Sequence, residues 1–455
     1  MKKKLRRNKI DRLFGTDGIR AVAGEYPLDY SSVYTLGKAL ISLLREEGLE
    51  TKVIIGKDTR ESGVWLEQAL AHGINDNRGE ATSAGVIPTS AISFLTKKHS
   101  FSAGIVISAS HNPYQDNGIK IFSSQGIKIS DEWEKKLENA IISSKEDVRS
   151  EKIDINPLSS FREDYIDFLK AQFAEAKLKK NIRVVLDCSN GASSSIAPQT
   201  LSNLGFEAIP LDNSPDGKNI NANCGSLFPQ NLSKKVVETQ ADIGIAYDGD
   251  ADRAIWVDEK GRILNGDHTL FVLSQFMREK GRLLSNTIVA TTMSNLGLEK
   301  ALEKRGLKLV RTKVGDKYVL EQMMKIKADL GGEQSGHTIF LRDCPTGDGI
   351  LTSIKMLEAM AEYNIPLSEM VEGFTEFPQI HKNVRVVKKV DFSKFQEIVK
   401  TIEEIKKQLK DSGRIEVRYS GTEPLARIMI EGKDKNLIEH QSQEMASVIT
   451  KYLGE

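Results

Sequence analysis

Cysteine is scarce in this chain: Cys188, Cys224 and Cys344 are the only three in 455 residues. They are widely spaced and odd in number. That argues against a disulfide framework and a cysteine-based zinc site, and points to reduced thiols in a cytoplasmic setting. Long apolar runs are missing too; none approaches the roughly 18 residues of a membrane span. Charge of one sign is absent as a bulk property. Lys and Arg total 64 against 63 Asp and Glu, a net charge of +1, so no global field favours nucleic acid or an anionic membrane. The start, Met1 to Arg7, is basic with no apolar stretch behind it, and reads as a solvated tail rather than a secretory signal. There is no Gly-x-x-x-x-Gly-Lys-Ser/Thr run, which argues against a P-loop nucleotidase, and no heptad array, low-complexity tract or short repeat.

What is present is an α/β rhythm. Apolar strand-like runs at 53–56, 104–107, 119–122, 182–186, 243–247 and 287–290 alternate with helical spacing such as that from Ser62 to Asn75. This predicts repeated βαβ units with parallel or mixed sheets. The length is too great for one core. Polar or Pro-containing breaks near 150–158, 254–262 and 366–380 divide the chain into 1–155, 156–254, 255–370 and 371–455. The first three read as related α/β domains. The last, with strands near 384–387, 414–417 and 426–430 and a Lys/Glu-rich helix near 393–410, reads as a smaller α+β domain with an antiparallel sheet.

Polar loops at the ends of apolar runs carry the chemistry. The strand Ile105-Val106-Ile107 leads into Ser110-His111-Asn112-Pro113, where a hydroxyl beside a histidine is a candidate phosphoryl or acyl acceptor. After Ile243 to Tyr247 comes Asp248-Gly249-Asp250-Ala251-Asp252-Arg253. Three carboxylates at alternate positions are a hard oxygen-ligand set that repels itself without a cation. An EF-hand is disfavoured, because Arg253 stands where that loop needs glycine and the flanks are strands. Gly331-Gly332-Glu333-Gln334-Ser335-Gly336-His337 offers donors and acceptors for sugar hydroxyls or an amine. Arg418-Tyr419-Ser420-Gly421-Thr422-Glu423-Pro424, with Arg427 beyond, has the composition of an anion clamp. Arg20, after the turn Phe14 to Gly18, and Lys120 are further cations suited to a phosphoryl group.

In this order the four motifs resemble those of the α-D-phosphohexomutase family, and the resemblance runs from Phe14 to about Glu431. Pro215-Asp216-Gly217, Asn219-Ile220-Asn221, Cys224-Gly225-Ser226, Met293 to Gly297, Thr312 to Asp316 and Gln334 are similar to the branch that acts on glucosamine phosphates. Ala21, Gly24 and Ala251 depart from its usual pattern. The resemblance implies four domains around a central cleft, each supplying one loop. It implies interconversion of glucosamine 6-phosphate and glucosamine 1-phosphate for amino-sugar and cell-wall precursor synthesis; the alternative is a phosphomannomutase/phosphoglucomutase. By the same resemblance Ser110 is a phosphoserine, and Ser110, Asp248, Asp250 and Asp252 hold one Mg²⁺. Glu333, Ser335 and His337 grip the sugar, while Arg418, Ser420, Gly421, Thr422 and Arg427 bind its phosphate. A sugar 1,6-bisphosphate serves as activator and intermediate. The general base stays open among Lys120, Arg20 and His111, and a lysine base would need a depressed pKa. The last domain is expected to act as a lid, and a homodimer through the first domain is the implied assembly.

Overall fold

The computed structural model describes residues 12–144, 146–151, 153–173, 181–420 and 424–454. The basic tail and three of the phosphate-loop residues named above, Gly421, Thr422 and Glu423, lie outside them. Four sheets are built along the chain. The first has six strands in the spatial order Phe14–Gly15, Gly18–Val22, Asp116–Ser123, Ala103–Ile107, Lys52–Lys57, Glu80–Val86. The second runs Ile263–Leu264, Ala254–Asp258, Ile243–Tyr247, Arg183–Asp187, Glu207–Leu211, and the third Lys308–Thr312, Thr287–Thr291, Leu330–Gly332, Thr338–Phe340. The last sheet is antiparallel, Gln379–Arg385, Leu425–Gly432, Gly413–Tyr419.

The first three sheets share one plan that no sequence period announces. In each, a central strand has parallel neighbours, and the last parallel strand turns back into an antiparallel one. Ala103–Ile107 returns as Asp116–Ser123, Ile243–Tyr247 as Ala254–Asp258, and Leu330–Gly332 as Thr338–Phe340. The three reversals are the serine loop, the aspartate loop and the glutamate loop. Strands ahead of them are buried throughout, which explains why the first two read as unbroken apolar runs; the third is the short Leu330-Gly331-Gly332.

The stretch 254–262, read from sequence as a break between domains, is a correction. It is a hairpin of the second sheet, Ala254–Asp258 pairing with Ile263–Leu264. Its polar tip is a turn in which Asp258 accepts from the backbone N–H groups of Lys260 and Arg262, so polarity marked a hairpin end and not a linker. The strand expected at 384–387 runs Gln379–Arg385 instead.

One continuous apolar cluster runs from Ile54 and Val106 through the helix Ser159–Ala171 and Tyr247 to Phe340 and Phe374, tying the first three units together. The last unit has its own cluster, in which the helices Gln396–Leu409 and Lys435–Leu453 cover the antiparallel sheet. Among the described residues no helix is long and apolar enough to cross a membrane. The three cysteines are buried free thiols.

Candidate active site

Ser110 sits where two loops meet. It is fully buried, and its φ of +52° places it in the left-handed region. Its N–H donates to Ser108 Oγ at 2.9 Å, and its own Oγ donates to Asp248 Oδ2 at 2.6 Å. His111 Nδ1 lies 3.2 Å from the same Oγ. Gly249 is required by this approach: a Cβ there would stand 2.6 Å from the Ser110 carbonyl oxygen.

The three aspartates are all buried, and their ligand atoms lie within 4.8 Å of one another. Asp250 Oδ2 accepts from Thr89 Oγ1 at 2.6 Å and from Lys120 Nζ at 2.8 Å. Asp252 faces Lys120 Nζ at 3.4 Å and His337 Nδ1 at 3.7 Å. Burial and the charges of Asp252 and Asp250 push the Asp248 carboxyl well up. Burial would raise Asp252 as well, but Lys120, His337 and Arg253 hold it well below the usual range. Asp250 Oδ1 and Asp252 Oδ1 are buried with no hydrogen-bond partner. A self-repelling carboxylate set with orphaned oxygens fits a hard divalent cation.

The cations are arranged otherwise than expected. A depressed lysine pKa does not arise at Lys120. Burial alone would lower it, but Asp17, Asp250 and Asp252 raise it well above its ordinary value. Arg20 is paired with Asp17, and Lys128 bridges Asp17 at 2.8 Å to Asp316 of the third unit at 2.7 Å. Burial, then Arg253 and Arg20, push His111 down to about 4.

Glu333 and Ser335 line a cleft of about 700 Å³ together with Asn295, Gln334, Phe377 and Gln379. Burial raises the Glu333 carboxyl, which accepts from Gly315 N–H at 3.0 Å. His337, expected to reach the sugar, does not line that cleft. It is 3% exposed and lies between Asp252 and Asp316 at 3.6 Å; there burial lowers its pKa, and Asp252 with Asp316 and Glu333 outweighs burial and raises it to about 9. The glutamate loop is bonded to the aspartate loop through Ala254 N–H and Gly336 C=O. In the last unit Arg418 and Arg427 are cross-strand partners. Burial and the charge of Arg427 lower Arg418, a crowding that an anion would relieve. Ser420 is buried beside them.

Sequence reasoning missed Thr89, Asp58, Arg60 and the charge bridge of Asp17, Lys128 and Asp316. Asp58-Thr59-Arg60 did carry a signal, polar residues directly behind the apolar strand Lys52–Lys57. Thr89 carried none.

Four domain families match along the chain. Phosphoglucomutase/phosphomannomutase alpha/beta/alpha domain I covers residues 11–148, domain II 163–261, domain III 265–377, and the C-terminal domain 382–448. The phosphoglucosamine mutase of Koribacter versatilis is 45% identical over 98% of this chain and 98% of its own length. That of Syntrophus aciditrophicus is 44% identical over 98% of this chain and 100% of its own. Among solved structures, a phosphoglucomutase/phosphomannomutase family protein from Burkholderia thailandensis superimposes with a TM-score of 0.79 at 23% identity, covering 96% of this chain and 97% of the other. The N-acetylphosphoglucosamine mutase of Aspergillus fumigatus, solved with GlcNAc-6P and magnesium, does so at 0.67 and 17% identity, covering 98% and 97%; at these identities the likeness concerns the fold.

Proposed function

The chain belongs to the phosphoglucomutase/phosphomannomutase family, and on that basis we propose that it interconverts glucosamine 6-phosphate and glucosamine 1-phosphate through a phosphoserine at Ser110 and a sugar bisphosphate. Ser110 carries this reading. It is a buried serine in a left-handed turn, aimed at the carboxylates of a second unit, in a chain 44–45% identical over nearly its whole length to proteins named phosphoglucosamine mutase.

The substrate's phosphate docks against Arg418, Ser420, Gly421, Thr422 and Arg427, while Glu333 and Ser335 hold its hydroxyls. The free hydroxyl oxygen then bonds to the phosphorus on Ser110, the P–Oγ bond breaks with Oγ taking up a proton, and the hydroxyl proton passes to a base. The bisphosphate turns over in the cleft. Ser110 Oγ next attacks its other phosphate, gives up its own proton, and the product alkoxide leaves with a proton. For this second half His111 Nδ1 is in place, 3.2 Å from Oγ. Lys120 and Arg20, each tied to carboxylates, stand as fixed positive charges for a loose transition state. Asp248, Asp250 and Asp252, with an oxygen of the phosphorylated serine, would hold one Mg²⁺, which when bound supplies charge neutralisation at the transferring group. A cytoplasmic enzyme, dimeric through its first unit and free of membrane or nucleic-acid partners, completes the proposal.

The test is ³¹P NMR of glucosamine 6-phosphate with Mg²⁺ and a trace of sugar 1,6-bisphosphate, with wild type beside Ser110→Ala. Conversion by wild type alone, without inorganic phosphate, is expected. Turnover of glucose or mannose esters but not the glucosamine ester would overturn the substrate, and release of phosphate in step with product would make the protein a phosphatase.

A further inference from the structure

The backbone of Ser110 is held by two donors that touch neither its hydroxyl nor the aspartates. Its carbonyl and that of Asn112 share the same two donors. Arg60 Nη2 donates to Ser110 O at 3.1 Å and to Asn112 O at 2.6 Å. Asn221 Nδ2 donates to the same two oxygens at 2.9 and 3.0 Å. The two donors come from different units. Arg60 follows the strand Lys52–Lys57 of the first sheet, is fully buried and is anchored by Asp58. Asn221 lies in the second unit, in the loop after Glu207–Leu211; it has a φ of +58°, and its N–H is fixed by Ser189 C=O at 2.9 Å.

Asp58 engages Nη1 of Arg60 and leaves Nη2 to other partners. Here its outer nitrogen is spent on two carbonyls of the one strained turn, and a residue of another unit duplicates those bonds. The duplication has an electrostatic consequence. A serine released from the left-handed region would swing its carbonyl, and a carbonyl oxygen turned toward Asp248 and Asp250 would repel both the carboxylates and a phosphoryl group. We infer that Arg60 and Asn221 are positioning residues that clamp the Ser110 turn in its phosphoryl-transfer geometry, so that the acceptor is competent only while the second unit is docked on the first. The inference rests on the function proposed above.

The readout is transfer of phosphoryl from glucose 1,6-bisphosphate to Ser110 with Mg²⁺, followed by intact mass; it does not depend on which monophosphate is turned over. Asn221→Gly removes the donor and keeps the positive φ. Asn221→Asp keeps the shape and replaces a donor by an acceptor. Serine phosphorylation should slow by about tenfold in the first and about a hundredfold in the second. KM for the monophosphate should stay within about twofold, because its contacts lie in the third and fourth units, and kcat should carry the loss. Arg60→Lys, which keeps the positive charge but has one nitrogen to share between Asp58 and the two carbonyls, should slow transfer in the same direction. Wild-type phosphorylation rates in both Asn221 variants, or losses that merely follow the folded fraction seen by circular dichroism, would overturn the clamp. A wild-type protein that takes no phosphoryl group would overturn the phosphoserine reading and the clamp with it.

Discussion

At the scale of single residues, the site shows neighbours deciding what a side chain does. Lys120 Nζ lies 3.2 and 2.8 Å from the carboxylates of Asp17 and Asp250, which favour its charged form. His337 belongs by sequence to the sugar loop and by contact to the charge network behind the aspartates. Ala251 has a φ of +56°, a region that an L side chain occupies at some cost. Thr89 is the residue most easily overlooked. From another unit of the fold, its hydroxyl donates to the Asp250 carboxylate and its N–H to the Asp250 backbone carbonyl. Orienting a ligand carboxylate in this way commonly governs affinity for the ion. Thr89→Val, close in volume but without the donor, should weaken Mg²⁺ binding by about tenfold or more in a calorimetric titration; unchanged affinity would show that Asp250 is held well enough by Lys120.

At the scale of elements, the same reversal from parallel to antiparallel strand is used three times, and each time the loop carries the reactive groups. Helix starts are fixed by equally local means. The helix Gly266–Glu279 begins with a capping box in which Asn265 and His268 serve each other's backbone, and the box requires His268 Nδ1 to accept from Asn265 N–H at 3.3 Å. Burial, then Arg262, push His268 down to about 4. The folded protein therefore refuses a proton that the unfolded chain binds below about pH 6.5. The linked stability, up to about 3 kcal/mol, is complete above that pH and is lost as pH falls toward 4. His268→Gln keeps an acceptor at this position and removes the titration. Its melting temperature should decline less steeply than wild type between pH 6.5 and 4, whereas parallel declines would sink the assignment.

At the scale of the whole molecule, three units share one apolar core and the fourth stands apart. Its attachment is polar. Glu431, fully buried, accepts from Leu296 N–H at 3.0 Å and pairs with Arg414, and Arg414 also donates to Ser294 C=O at 2.6 Å. A polar seam beside a separate core is suited to moving as a body. Glu431→Ala leaves Arg414 and a buried N–H without that partner, at a cost of roughly 3–5 kcal/mol. Calorimetry should then show the last unit melting in its own earlier transition; a single unshifted transition would contradict this. If the unit closes over the substrate, adding bisphosphate to wild type should shrink the radius of gyration in solution scattering, and identical profiles would count against closure.

Legible along the chain are the α/β class, the strands ahead of the serine and aspartate loops, and the chemically able groups at Ser110, Asp248, Asp250, Asp252 and Glu333. Those features are local: strand burial shows as apolar runs, and the reactive groups lie within a few residues of a strand end. Folding alone makes 254–262 a hairpin, brings Thr89, Arg60 and Asn221 to loops far from them in the chain, and sets Lys120 and His337 against the carboxylates of Asp250, Asp252 and Asp316. Such roles depend on burial and on charges brought within about 4 Å by folding, where Coulomb interactions and desolvation dominate, and nothing in the order of residues along the chain states those distances.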